Sequence, residues 1–308
     1  GTTNMAELRG ILSKLSGSAG QFTFKRVNGH TIMSEKASIT TVRRSRAQQL
    51  HRMKWPNLIK AYAGIAPLLN CAFENKSKSV SDYNMFVKLN FADSKVYLTK
   101  SEVVANACVV APYLITMGTL PTIQCTGEAG ASATDIALGE LTLTADTTVK
   151  QFSDAVVSNN PAFDYGDQIA FIRVAQGTHP VTGYPQCDFT GESIVLEKRS
   201  EVKLRDCVGE AGFSAVGGKL ACKLGDGFQG AYAWVHSRKQ QGTTRVSTQM
   251  LIAKNDLLDS YTSEEAYKRA VATYGGEDNN FLTPDGNSTA KPAPSEGGGS
   301  EGDNPDNL

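Results

Sequence analysis

None of the six cysteines (Cys71, Cys108, Cys125, Cys187, Cys207 and Cys222) falls in a C-x-x-C pair. The spacing that marks thiol redox motifs and zinc knuckles is missing. The four histidines, His30, His51, His179 and His236, are equally dispersed, with no H-x-x-x-H or H-E-x-x-H pattern. That removes the usual local signature of a zinc site. There is neither a G-x-S-x-G elbow nor a G-x-x-x-x-G-K-[ST] loop. Motifs therefore supply no nucleophile and no phosphate cradle. No run of 18 apolar residues occurs, so no membrane-spanning helix and no membrane insertion are expected. Around Ile11-Leu12 the chain lacks the apolar core of a secretory signal, because Gly and Ser follow at once. The compartment stays open between cytoplasmic and virion or extracellular. No fixed-period repeat is found.

Net charge is also missing overall, at +0. The balance conceals a strong asymmetry. Residues 1–100 hold 16 Lys and Arg against 5 Asp and Glu, a surplus of +11. Residues 101–308 hold 15 against 26, a deficit of the same size. Such a split concerns partners rather than fold. The basic third meets something acidic from outside, or it meets the acidic part of another copy. Apolar residues make up 40% of the chain and aromatics 8%, ordinary values for a folded protein that builds a core. At 308 residues, two domains are expected.

Local patterns predict an α+β fold. Gln21 to Val27 alternates, Asn28-Gly29 follows, and His30 to Ser34 continues, which predicts a β-hairpin. Ser45-Arg46-Ala47-Gln48 fits a capping box that opens a helix to about Tyr62. Pro56 lies inside it and predicts a kink or break at Trp55-Pro56, with Trp55 in the core beside it. Pro67 suits the start of a second helix to about Glu74, Ser81 caps a third, and Ser101 to Ala107 is a short one. From Cys108 the pattern becomes strand-like, in runs Val109–Met117, Glu140–Thr144, Gln168–Ala175, Ser193–Glu197, Phe213–Lys223, Gly230–Ser237 and Thr244–Ile252. Gly217-Gly218 marks a hairpin turn, and a helix at Thr147–Asn159 interrupts the strands. Many short strands favour a mostly antiparallel, β-sandwich-like domain. Ser263 opens a last helix that ends at Gly275-Gly276. The expected divisions are a basic hairpin and helical module at 1–107, a β-rich domain with a closing helix at 108–276, and a disordered acidic tail at 277–308. That tail holds 7 acids against one Lys and too few apolar residues to order itself.

Candidate chemistry is thin. Gly225-Asp226-Gly227-Phe228-Gln229-Gly230 spells G-x-G-x-x-G, but it leads into a strand where a dinucleotide fingerprint needs a helix, so it reads as a turn. Asp164, Asp167 and Asp188 match no calcium loop and read as solvated carboxylates. Asn75-Lys76-Ser77 and Asn287-Ser288-Thr289 are sequons. Tyr232 and Trp234 share one strand face and read as packing beneath a sheet. The cysteines read as reduced, small hydrophobes. No catalytic, cofactor or metal-ligating residue is assigned. The strongest candidates form an interaction surface: Arg43, Arg44, Arg46, Arg52, Lys54 and Trp55, with His51 and Lys60 nearby. On an ideal helix, positions 46, 52, 54 and 60 fall near about 0°, 240°, 80° and 320°, so the cations are spread around the helix.

Laid out in order, these residues resemble a known group. Gly10 to Gly20 is followed by the hairpin Gln21–Ser34, Arg43–Arg46, Ala47-Gln48-Gln49 with Arg52, and Ser81-Asp82-Tyr83-Asn84-Met85-Phe86-Val87. The order resembles an uncharacterised Bacteroidota-type family of unknown function, and the N-terminal arrangement is similar to phage and prophage structural proteins. Val246-Ser247-Thr248-Gln249, Tyr261 to Tyr267, and Tyr274-Gly275 are similar to the C-terminal region of the same group. The resemblance implies an N-terminal helical assembly module and a C-terminal β-domain. The expected function is that of a non-enzymatic structural or interaction protein, phage-related, mobile-element-related or surface-exposed. Its partners would be other copies of itself or another structural protein. The alternative is nucleic-acid binding through the basic region, and an enzyme ranks third.

Overall fold

The computed structural model describes residues 6–8, 16–27, 30–35, 46–77, 79–128, 131–208 and 212–274. The expected tail at 277–308, the Asn28-Gly29 turn, and Arg43 and Arg44 lie outside the described residues. The chain divides into two compact units, residues 1–44 and 45–308.

The first unit is one antiparallel sheet. Its strands β1 (Ala6–Leu8), β2 (Gly17–Ala19), β3 (Phe22–Val27) and β4 (His30–Glu35) are ordered β1-β4-β3-β2. The β3–β4 register sets Val27 against His30 and Phe24 against Met33, as a two-residue connection requires. Gly20, at φ +58, lets the chain turn back from β2 into β3.

The second unit opens with α1, Arg46–Ile65, which runs through Pro56 without interruption. The expected break does not occur, and two features explain why. Buried residues on both sides of the proline, Met53, Asn57, Leu58, Ala61 and Ile65, anchor the helix to the body. Proline also leaves the Arg52 carbonyl without its helical donor, and the Tyr274 hydroxyl donates to that carbonyl at 3.3 Å. Tyr274→Phe is expected to cost about 1 kcal/mol in urea denaturation. An unchanged midpoint would show that water satisfies the carbonyl equally well.

The second expected helix is only a 3-10 turn, Ala66–Leu68. Helix α2 (Asp82–Asn90) is capped by the Ser81 hydroxyl, which accepts from the Asn84 amide, and α3 (Lys100–Val104) by a Thr99–Glu102 capping box. The expected strand Val109–Met117 shrinks to β5, Leu114–Thr116. Side chains take the place of a ladder along the rest. Asn57 accepts from the Val109 amide at 2.7 Å and donates to its carbonyl at 2.9 Å, and Gln176 accepts from the Val110 amide at 2.8 Å. Residues 140–144 form no strand, because the Thr147 hydroxyl captures the Thr144 amide at 2.8 Å in a local turn. Two strands appear that sequence patterning did not show, β6 (Cys125–Glu128) and β7 (Ala131–Ala137).

Next come α4 (Val149–Asn159), β8 (Gln168–Thr178), β9 (Pro185–Val195) and α5 (Leu204–Val208). They are followed by β10 (Phe213–Val216), β11 (Lys219–Lys223), β12 (Gly230–Gln240), β13 (Thr243–Val246), β14 (Gln249–Met250) and β15 (Ile252–Lys254). Helices α6 (Asp259–Thr262) and α7 (Glu264–Tyr274) close the described chain. The central antiparallel sheet is ordered β13-β12-β8-β9, with β15 also on β12. Its two faces build two cores. Ala231, Ala233, Val235, Ile172 and Val174 pack with Leu58, Ile65, Phe86 and Ile115 from the helical side. Tyr232, Trp234, Ile169 and Phe171 pack with Phe152 and Val156 of α4 and with Ile136 and Leu220 of the sheet β10-β11-β7-β6. A strand buried on both faces reads as a continuous apolar run, as Ala231 to Val235 does.

The fold is α+β: the described residues of the first unit form a sheet, and the second unit holds helices and an antiparallel sheet region. The compact units meet between Arg44 and Ser45. Helices α1 and α2 share one core with the β-rich part, where Leu58, Ile65 and Phe86 pack with Ile172 and Ala231.

Candidate interaction surface

The candidate surface is built from α1 outward. His51, Trp55 and Tyr62 stand at i, i+4 and i+11, a spacing that sets them along one side of a helix. That side meets the rings of α2 and its C-terminal end. Trp55 stacks on His51, with centroids 4.3 Å apart, and meets Phe91 at 6.0 Å and Tyr83 at 6.3 Å edge-on. Tyr62 meets Tyr83 at 5.4 Å and Phe86 at 5.3 Å. The ammonium of Lys54 lies 4.8 Å from the Phe91 centroid and donates to the Ala92 carbonyl at 3.4 Å. Phe86 is buried, whereas His51, Trp55, Tyr62, Tyr83 and Phe91 are each half-buried along the α1–α2 seam.

The same burial acts on the titratable groups of the seam. It lowers the His51 pKa and raises those of Tyr62 and Tyr83, and the charge of Asp82 raises Tyr62 further. Burial also lowers the Lys54 pKa, partly offset by Asp93. Arg52, Lys60 and Lys88 stay exposed around the seam.

Of the six expected surface residues, the structure joins Lys54 and Trp55 in one aromatic cluster and places Arg52 beside it, exposed on the same helix. Arg46 opens α1, but its side chain lies outside the described residues, as do Arg43 and Arg44. Trp55 is not the core residue that its place beside Pro56 predicts. It occupies the seam, half-exposed, on a helix that continues past Pro56. Phe91 and the stacking of His51 were missed. The i, i+4 pairing of His51 with Trp55 was the available signal.

A second concentration of charge is buried, and it overturns the reading of Asp167 as a solvated carboxylate. Asp167 is 1% exposed. The Arg238 guanidinium grips it with two hydrogen bonds, Nε to Oδ1 at 2.6 Å and Nη2 to Oδ2 at 2.7 Å. The His236 Nε2 and the Asp164 backbone amide also reach Oδ2, at 2.8 and 2.9 Å. The Phe163 ring stacks on His236 at 4.2 Å. Burial alone would raise the Asp167 pKa, but Arg238 and then His236 outweigh it and hold the carboxyl at about 2. A carboxylate so saturated is a poor general base. It fastens the connection between α4 and β8 onto β12.

The remaining candidates resolve as structure. The G-x-G-x-x-G stretch is a turn into β12. A Cβ on Gly230, at φ +148, would stand 2.0 Å from the Val174 carbonyl oxygen, so a glycine is needed where β12 approaches β8. Tyr232 and Trp234 are fully buried. The six cysteines are present as thiols. Among the described residues there is no group of three or more His, Cys, Asp or Glu suited to a metal ion, and no helix long and apolar enough to cross a membrane. In comparisons with family models, curated proteins and solved structures, no family model, no curated protein and no solved structure matches this chain.

Proposed function

We propose that this chain is a structural or interaction protein, not an enzyme, that assembles with other copies through its basic N-terminal region, using the α1–α2 seam as a contact surface. The observation that carries this reading is the row of half-buried rings at Trp55, His51, Tyr83 and Phe91, with Lys54 over one of them and Arg52 exposed alongside. Aromatic rings and arginine supply most of the binding energy at protein interfaces, where a rigid apolar body is joined to a polar rim. The charge asymmetry gives such a surface a complement on the same chain, since residues 101–308 hold 26 acids against 15 bases. A contact between unlike parts of two copies is heterologous and builds rings or open filaments. The setting we propose is a virion-like, mobile-element or surface assembly, as the resemblance of the sequence to phage structural proteins implies.

Two variants test the surface. Trp55→Ala removes the central ring, and the double variant R52E/K60E reverses the nearby charge. Both are expected to cut the assembled fraction at low salt at least tenfold in analytical ultracentrifugation, with far-UV circular dichroism unchanged. Undiminished assembly in both would remove the seam from the contact. The alternative of nucleic-acid binding also uses cations beside stackable rings. It would show instead as a monomeric wild type whose retardation of DNA in a gel is lost in both variants.

A further inference from the structure

We propose that Cys108 and Cys187 are a disulfide-forming pair that, once oxidised, locks the segment after α3 onto strand β9. The Cys187 thiol donates to the Cys108 carbonyl at 3.2 Å. The Cys108 thiol lies beside the Cys187 sulfur as well. The two backbones are held together without help from the thiols. The Cys108 amide donates to the Pro185 carbonyl at 2.9 Å. Gln176, directly across the ladder from Cys187, donates through its side-chain amide to the Cys108 carbonyl at 3.1 Å and to the Gln186 carbonyl at 3.0 Å. The two cysteines therefore start from backbones already held side by side.

Access and reactivity differ between the two. Cys108 is 1% exposed, whereas Cys187 is half-buried. The Cys108 thiol beside it, and burial, push the Cys187 pKa well up, while the charge of Lys60 pulls it down. The attacking thiolate is accordingly scarce at neutral pH, and oxidation is slow and faster in alkali. The oxidant is a small-molecule disulfide. The Cys187 thiolate attacks one sulfur of glutathione disulfide and expels a glutathione thiolate. That thiolate takes up the proton released by Cys108, and the Cys108 sulfur then attacks the Cys187 sulfur and displaces the second glutathione. Two protein thiols are oxidised to one disulfide, and one glutathione disulfide is reduced to two thiols.

The test uses the full chain incubated with glutathione disulfide at pH 8.5, then alkylated and mapped as peptides by mass spectrometry. A cross-linked peptide pair containing Cys108 and Cys187 is expected, reversed by dithiothreitol. The thermal midpoint should rise by roughly 5–10 °C, because the bridge closes a long loop. Cys187→Ser should abolish the bridge, and Cys108→Ala should stop the reaction at a glutathione adduct on Cys187. Cys207, which is exposed, reports that the oxidant is active. A glutathione adduct on Cys207 with Cys108 and Cys187 still reduced, or a bridge between any other two cysteines, would overturn the pairing.

Discussion

Asp167→Ala is expected to lower the unfolding free energy by about 3–5 kcal/mol at pH 7, because removing one member of a buried ion cluster leaves the others uncompensated. Arg238 has a side chain 30% exposed and can turn partly to water, whereas His236 is fully buried and cannot. The loss should therefore fall toward the lower end of that range. The pH dependence has a definite sign. The folded carboxyl sits at about 2, below the unfolded value of about 3.9. A depressed carboxylate contributes stability that is fully present above the unfolded pKa and disappears as pH falls through the folded one. Wild type should lose on the order of 2–3 kcal/mol from this group between roughly pH 5 and pH 1. The Asp167→Asn variant, which keeps the shape without the charge, should lack that part of the acid slope. Urea denaturation of both proteins across this window measures it. Parallel curves for wild type and Asp167→Asn would show that the cluster does not link stability to pH.

Trp234→Ala should be as costly, at about 3–5 kcal/mol. The ring lies at the centre of the second core, fully buried, with centroids 4.7 Å from Phe171 and 5.0 Å from Phe213. Its indole N–H donates to the Ser132 hydroxyl at 2.8 Å and so joins β12 to β7 across the two sheets. Truncation removes dispersion contacts on both sides and orphans a buried hydroxyl. Trp234→Phe fills most of the space and loses only the hydrogen bond, so about 1–2 kcal/mol is expected for it. Guanidinium denaturation of the pair separates packing from polarity. Equal, small losses in both would mean that the sheets are held chiefly elsewhere.

What the sequence discloses depends on how local the cause is. The β3–β4 hairpin, the Ser81-capped start of α2, and the Gly217-Gly218 turn, with φ of +58 and +72, are each determined within a few residues and were readable. Strands β6 and β7 carry Cys-Thr-Gly-Glu and Ala-Ser-Ala-Thr-Asp-Ile-Ala, small residues with little alternation, so neither their pairing with each other nor that of β7 with β11 had a periodic signal. The long-range substitutions were also silent. Asn57 replaces a strand partner for Val109 from 52 residues away, and Tyr274 serves the carbonyl that Pro56 leaves open from 222 residues beyond Arg52. Asp167 looked like a loop carboxylate because its partners, His236 and Arg238, lie 69 and 71 residues further along. The basic and aromatic content of α1 was legible. Its arrangement as a seam against Tyr83 and Phe91 was not, because an expected kink at Pro56 scattered those residues.

Light scattering of nuclease-treated protein at two salt concentrations tests the proposed assembly most directly. Opposite charges on unlike parts of the chain attract over a screening length of about 10 Å at 0.1 M salt and about 3 Å at 1 M. Assembly through the basic region therefore predicts large species at 0.1 M that persist after nuclease and dissolve at 1 M. A monomer at 0.1 M and high protein concentration would contradict it.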